Sequence, residues 1–376
     1  MDVAGVGTLA EAAEVVRGRR PRRQPVTMPR VTIPGTDDGG AKGPAREIAP
    51  PVGSASVPDL AEVRGQSQAR RALEIALAGG HGLLLTGPPG VGKTLLARTI
   101  PGLLPPLDDA AALAATVVAS AAGEGPIDVL RRNPPFRAPH HTLSYAAMVG
   151  GGPGLTPGEV TRADGGVLFL DELPEFDRDV LEALRQPLEE GRVLIARAGR
   201  VTAFPARFQL VAAMNPCPCG HAGSDDARCR CAPTLVERYQ RRVSGPLRDR
   251  IDLWVAMTRV PAERLMRLGE PEGSAVVAAR VAVVRERAQA RNGGALNVRL
   301  RGRELRAAAR LDDRGRARTV ALAEADGSSG RGTERLVRLA RTIADLDGTE
   351  RVQEVHLDEA ASYRMDADRA VGALAS

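Results

Sequence analysis

Aromatic side chains are scarce in this chain: one Trp, three Tyr and five Phe make up 2% of its 376 residues. That argues against a surface that grips nucleic acid by stacking bases on rings, and leaves Arg, backbone and shape for any such contact. Lysine is scarcer still, occurring at Lys42 and Lys93 alone although Lys plus Arg number 52. There is no apolar run long enough to cross a bilayer and no signal-peptide pattern, which predicts a cytoplasmic protein with no membrane partner. Cysteines number four, all in one short segment, and a cytoplasmic chain keeps them reduced. What remains is an ordinary globular composition, 43% hydrophobic, long enough for two domains. Its net charge of +6 permits a nucleic-acid partner without requiring one.

One of the two lysines sits in the most informative segment. Gly87-Pro88-Pro89-Gly90-Val91-Gly92-Lys93-Thr94 follows the apolar run 82–86 and opens onto a helix-like stretch, 95–100. This is a complete nucleotide-phosphate loop in its strand-then-helix setting. The glycines let consecutive backbone N–H groups curl around the β-phosphate, the next helix points its positive end at that charge, Lys93 completes the cradle and Thr94 offers a hydroxyl to Mg²⁺. Further on, Val167-Leu168-Phe169-Leu170 reads as a buried parallel strand ending in Asp171 and Glu172. Asp171 is expected to hold Mg²⁺ through water and Glu172 to polarise the attacking water, which makes the chain an ATPase. A third strand, 208–214, ends at Asn215, which either orients that water against the γ-phosphate or is an ordinary turn-forming Asn.

Strands and helices alternate over residues 59–261, predicting an α/β core with a doubly wound, mostly parallel sheet. Helices are expected at 66–78 and 177–190. Beyond 261 the pattern turns amphipathic and helical, at 275–291, 302–310, 316–324 and 333–346, predicting a smaller all-α lid domain over 262–376. Residues 1–58 carry a helix-like piece, then Arg19-Arg20-Pro21-Arg22-Arg23 and a stretch rich in Pro, Gly and Ser, and read as a flexible basic tail and linker. Two excursions interrupt the core. The first, 126–157, is rich in Gly and Pro and includes His140 and His141, for which packing or a hinge is favoured over metal binding. The second places short β-like runs on either side of Ala198-Gly199-Arg200, a tight turn. Cys217 and Cys219, with Cys229 and Cys231 soon after, form two close pairs that would wrap one tetrahedral structural Zn²⁺ or else remain reduced thiols or a redox-sensitive pair.

The ordered motifs Pro135-Phe136-Arg137-Ala138-Pro139-His140-His141-Thr142, Pro157-Gly158-Glu159, the run 167–176, Leu184-Arg185-Gln186-Pro187-Leu188-Glu189, Asn215-Pro216-Cys217-Pro218-Cys219-Gly220, Arg250-Ile251-Asp252 and the run 340–346 resemble the AAA+ P-loop ATPases, within them the magnesium-chelatase-like branch and its ComM/YifB family. The resemblance runs from about residue 60 to 364. It implies an adenine pocket lined by the backbone of 63–66, an arginine finger at Arg250 that reaches a neighbouring subunit's site, and a second sensor arginine at Arg331. Arg250 could instead be a surface residue paired with Asp249 or Asp252. A site needing Lys93 and Arg331 from one subunit and Arg250 from another implies a homo-oligomeric ring, a hexamer by preference. The family resemblance also implies that the hairpin around 198–200 points into the central pore, where Arg197 and Arg200 would track DNA phosphates, unless they only solubilise an exposed turn. Members of the family carry a substantial N-terminal domain similar to the Lon protease domain. This sequence carries something like its last helix, which reads either as a natural short form or as the product of a misplaced start codon, and leaves room for that domain or a partner supplied in trans.

The function implied is an ATP- and Mg²⁺-dependent motor, a DNA helicase that drives branch migration on single-stranded or branched DNA during recombination and natural transformation. The alternatives are a chelatase-type chaperone that remodels a protein partner for metal insertion, and a slowly turning scaffold.

Overall fold

A computed structural model of the chain describes residues 57–124, 127, 129–151, 155–197, 200–222 and 228–372. The basic tail expected over 1–58 lies, up to residue 56, outside these. In chain order the strands are β1 (Leu83–Thr86), β2 (Phe136–Arg137), β3 (Gly150–Gly151), β4 (Thr156–Pro157), β5 (Val167–Leu170), β6 (Arg192–Arg197), β7 (Arg200–Pro205), β8 (Gln209–Met214) and β9 (Leu253–Ala256). Five of them form the central sheet in the order β2-β5-β8-β1-β9, every pairing parallel. Continuous apolar runs such as Leu83-Leu84-Leu85 and Leu210-Val211-Ala212-Ala213 suit strands buried on both faces, and β1, β5 and β8 are buried along their whole length.

Successive side chains serve opposite faces. Leu83, Leu85, Phe169, Val211 and Val255 pack with the helix Ser67–Gly79 and with the C-terminal helices, whereas Leu84, Leu168, Leu170, Ala212 and Trp254 pack with Leu173, Val180, Leu184 and Leu247 on the other side. This is the doubly wound sheet that the sequence predicts. Because the strands are parallel, their C-terminal ends share one edge of the sheet and their starts share the other, a separation that decides where each functional residue can act.

Past Pro261 the described chain is helical, in Ala262–Arg267, Ser274–Arg291, Gly302–Ala309, Asp313–Ala325, Gly330–Leu346 and Glu354–Gly372. These helices share a continuous core with one face of the sheet through Val277, Val281, Leu336, Ile343 and Leu357. A buried polar link adds to it: His81 Nδ1 lies 3.1 Å from Asp252 Oδ2, and its Nε2 lies 2.8 Å from Thr342 Oγ1. Burial pushes the Asp252 carboxyl up, but His81, Arg338 and Arg335 outweigh it and hold the group below its ordinary value.

Two expectations change. The helix predicted over 177–190 is two, Arg178–Ala183 and Arg185–Glu190. Pro187 has no N–H to offer and its ring would clash with the carbonyl of Ala183, so the chain breaks at Leu184 and restarts with the proline in a first turn. The last helix, Glu354–Gly372, lies in the part expected to be all-α but beyond the separate helices expected there. No helix among the described residues is long and apolar enough to cross a membrane.

Candidate active site

The phosphate loop joins the C-terminal end of β1 to the helix Lys93–Arg98. Gly90 and Gly92 hold φ of +79° and +96°, values that L side chains resist, and a Cβ on either would meet nothing within 4 Å. The loop is therefore a backbone-lined concavity at a helix start, the form that takes a phosphate. Lys93 is buried beneath it, its Nζ donating to Gly87 O at 2.6 Å, Pro88 O at 2.9 Å and Asn215 Oδ1 at 3.1 Å. Burial pushes the Lys93 ammonium down to about 8, against the opposing pull of Asp171 and Glu172. Gln66, in the segment expected to line a base pocket, donates through Nε2 to Val91 O at 3.3 Å and to Thr258 O at 2.8 Å, tying that segment to the loop.

The ends of β5 and β8 bring the other predicted groups to the same edge. Thr94 Oγ1 donates to Asp171 Oδ2 at 2.6 Å, which sets a hydroxyl and a carboxylate side by side as an octahedral hard cation requires. Asp171 Oδ1 accepts from the Glu172 backbone N–H at 2.9 Å. Glu172 itself has φ +52°, an uncommon conformation for a non-glycine residue, and half of its side chain is exposed beside the loop. His141 meets this carboxylate, Nδ1 to Oε2 at 3.2 Å, with its ring 4.2 Å from that of His140 and edge-on to Phe176. For the histidine pair the sequence favours packing or a hinge. The contact with Glu172 was missed because it links two distant segments, although both histidines follow β2, the neighbour of β5.

Arg250 and Arg331 stand elsewhere. They line a cleft of about 910 Å³ bounded by Gly82 and Gln209, at the starts of β1 and β8, and by the buried Arg335 and Arg338. This is the edge of the sheet opposite Lys93, so Arg331 does not share a site with Lys93 within one chain as expected; it shares one with Arg250. Arg250 pairs with Glu189 and donates to Pro246 O, rather than joining Asp249 or Asp252. Burial together with the nearby Arg185 and Arg331 lowers its basicity, and its Nε is buried without a partner. Arg335 and Arg338, close to Arg331 in sequence, are held by Asp252 at 3.5 Å and by Leu300 O at 3.3 Å, while Arg331 is exposed at the cleft mouth.

β6 and β7 form the predicted hairpin, with Arg197 opposite Arg200 at the last backbone pair before the turn. Residues 198 and 199, and the two arginine side chains, lie outside what the structure describes. The sulfurs of Cys217, Cys219, Cys229 and Cys231 all lie within 4.8 Å of one another. Burial pushes the Cys219 thiol up, but hydrogen bonds from the His221 backbone and from Cys217 and Cys231 bring it down to about 6. Cys229 is pushed up to about 12, its burial and the neighbouring sulfurs overcoming a backbone hydrogen bond from Cys231. Thiols this close favour one negative charge and resist a second, which a divalent cation would relieve.

A phosphate loop, a hydroxyl–carboxylate pair and an adjacent glutamate on one edge of a doubly wound parallel sheet define a P-loop nucleotide-binding fold of the AAA+ type. Residues 59–265 match the model of the magnesium chelatase subunit ChlI family, and residues 271–364 match that of its C-terminal part. The chain belongs to this family. It is 44% identical to protein YifB of Salmonella typhimurium over 322 residues, covering 85% of this chain and 62% of that protein. With competence protein ComM of Haemophilus influenzae the identity is 45% over 308 residues, covering 81% and 60%. It is also 28% identical to the magnesium-chelatase 38 kDa subunit of Cereibacter sphaeroides over 225 residues, covering 58% and 59%. The chain thus spans about three fifths of the length of these relatives.

Proposed function

We propose that this chain is the ATP-hydrolysing part of a ring-forming cytoplasmic motor of the ComM type, which drives branch migration of DNA in recombination and natural transformation. The observation that carries the ring is the placement of two incomplete half-sites at opposite edges of one sheet. Lys93, Thr94, Asp171, Glu172 and Asn215 bind and orient the triphosphate and its water at one edge. Arg250 and Arg331 gather at the other, where no phosphate loop lies among the described residues. Head-to-tail neighbours bring the two together, and repetition of one such contact closes a ring when its rotation closes; the family resemblance makes that ring a hexamer.

Thr94 and Asp171 fit Mg²⁺, whose role when bound is to neutralise charge on the β- and γ-phosphates. Glu172 then takes the proton of the attacking water, while Lys93 and the loop N–H groups hold the phosphates. Arg250 and Arg331 of the next subunit stabilise charge that develops on the transferring group. The four cysteines fit a structural zinc ion. DNA as the moved substrate is supported by the similarity to ComM and by the hairpin arginines Arg197 and Arg200. A protein-remodelling role is the second reading, favoured by the similarity to the magnesium-chelatase 38 kDa subunit.

The deciding experiment is ATP hydrolysis by the purified chain over a range of salt, with no DNA, single strands, duplex or a four-way junction, and Glu172→Gln as the blank. Stimulation by DNA that fades with salt supports the motor. Turnover indifferent to every DNA transfers the assignment to protein remodelling, and undiminished turnover by Glu172→Gln would remove this site from the reaction.

A further inference from the structure

The turn that carries Cys217 and Cys219 meets the phosphate loop through Gly220. Gly220 has φ +81°, and a Cβ on it would stand 2.6 Å from Pro89 Cδ and 3.0 Å from its Cγ, so the turn 217–220 lies flat against the loop. The same turn is continuous with the end of β8: Asn215, which takes the Lys93 hydrogen bond, comes two residues before Cys217. It is anchored at Pro216, whose carbonyl accepts from Gln240 Nε2 at 3.0 Å, and by the Ala222 N–H donating to Cys217 Sγ at 3.3 Å. Among the described residues, the apolar support of this segment is small, Cys217 with Ala222 and Val236 and the partly buried Cys229 and Cys231. Residues so close to Lys93 therefore depend for their position on something other than a large core.

The sulfur geometry supplies it. Cys217 lies 3.3 Å from Cys219 and 3.8 Å from Cys229, and Cys219 lies 3.7 Å from Cys229. Four thiolates at about 2.3 Å from one tetrahedral zinc stand about 3.8 Å from each other. A disulfide needs sulfurs at about 2.05 Å, far closer than these. All four ligands come from the protein, which leaves no open position for substrate or water, so the ion has a structural part and not a catalytic one.

We propose that Cys217, Cys219, Cys229 and Cys231 hold one zinc ion that braces the phosphate loop, fixing Gly220 against Pro89 and Asn215 against Lys93 so that nucleotide affinity depends on the metal. The dependence on nucleotide rests on the reading of residues 87–94 as an ATP site; the metal site does not. The ion acts like an outer partner of a metal ligand in reverse: here the metal orients the protein groups that meet the ligand.

The test uses the full chain. Elemental analysis after purification without chelator should find about one zinc per chain, and none in a variant with all four cysteines changed to Ser. Stripping the metal with a thiol-specific mercurial and a chelator, then removing both, should weaken binding of a fluorescent ATP analogue by about tenfold or more, with recovery on adding zinc. Cys231→His keeps a zinc ligand and should retain both metal and affinity. Gly220→Ala crowds Pro89 and strains the left-handed end of the turn while leaving all four thiols in place, so protein of this variant that still holds zinc should bind nucleotide more weakly. Lys93→Ala should lose nucleotide yet keep zinc, so failure of the ATP reading is told apart from failure of the metal site. A chain that takes up no zinc even on reconstitution overturns the site. A zinc-loaded chain whose nucleotide affinity ignores both metal removal and Gly220→Ala overturns the brace.

Discussion

His141 Nδ1 stands 3.2 Å from Oε2 of Glu172, joining the Gly- and Pro-rich excursion after β2 to the carboxylate at the end of β5. Glu172 is half exposed and has an unusual backbone conformation, so little else fixes its aim. His141→Ala should therefore leave ATP affinity within about twofold while lowering kcat by about tenfold, since a base that wanders loses catalysis without loss of binding. His141→Asn, which keeps a hydrogen bond, should fall between. Steady-state kinetics with a separate binding titration reads the split, and an unchanged kcat would return the histidine to a packing role.

Lys93 gives a pH dependence. Burial holds its folded-state value down at about 8, so the fraction in the charged form is nearly complete at pH 7 and falls as pH rises past 8. Phosphate binding favours the ammonium. ATP-analogue affinity should thus be flat up to about pH 7 and weaken above about pH 8, by as much as about tenfold per unit. Lys93→Arg, charged throughout, should bind with a flatter profile whatever its absolute affinity. Titration of affinity from neutral to alkaline pH in both proteins checks the slope; parallel profiles would place the titrating group elsewhere.

The parts of this site that could be read in advance are those that are contiguous in sequence. The loop 87–94, the strand end at Asp171 and Glu172, and the four cysteines each carry their chemistry within a short run, and local geometry follows from local residue types. Asn215 was legible only as a strand end: the apolar run before it marks where β8 stops, while its contact with Lys93, an Oδ1 accepting from Nζ at 3.1 Å, depends on β8 pairing with β1. The position of Arg331 was not legible, because it depends on how the helix Gly330–Leu346 docks on the sheet, and its own amphipathic pattern says only which face is buried. The same holds for His141, whose partner is set by β2 pairing with β5, and for Arg250, whose salt bridge goes to Glu189 instead of its sequence neighbours. The helix Glu354–Gly372 escaped because its inward positions mix Leu357 and Tyr363 with Ala360, a weak periodic signal.

The opposite-edge placement of Arg250 predicts complementation. Arg250→Ala should reduce turnover by about 10³-fold, as loss of an arginine supplied to a phosphoryl site does, and Glu172→Gln should be similarly impaired. Each variant keeps the half that the other lacks. Mixed rings should recover a fraction of activity set by the mixing ratio, because some interfaces then unite an intact Glu172 with an intact Arg250. Arg331→Ala should complement Glu172→Gln in the same way, which distinguishes the proposed arrangement from one in which Arg331 serves its own Lys93. Absence of recovery at every ratio, with assembly verified by sedimentation, would mean a site contained in one subunit.

The hairpin is tested by salt. β6 and β7 carry Arg197 and Arg200 at the backbone pair beside the turn, where a projecting tip would meet a strand passing through a ring. Each phosphate contact releases counterions, so affinity falls linearly on a logarithmic salt scale with a slope set by the number of contacts. With few aromatic residues in the chain, charge carries most of this binding. Changing both arginines to Ala should weaken single-stranded DNA of any sequence about equally and reduce the slope by about two. Binding isotherms on mixed-sequence and homopolymer strands at four or so salt concentrations measure both quantities. A weaker affinity with the original slope would point to a folding defect in the hairpin, and an unchanged slope with unchanged affinity would move the DNA contact off this tip altogether.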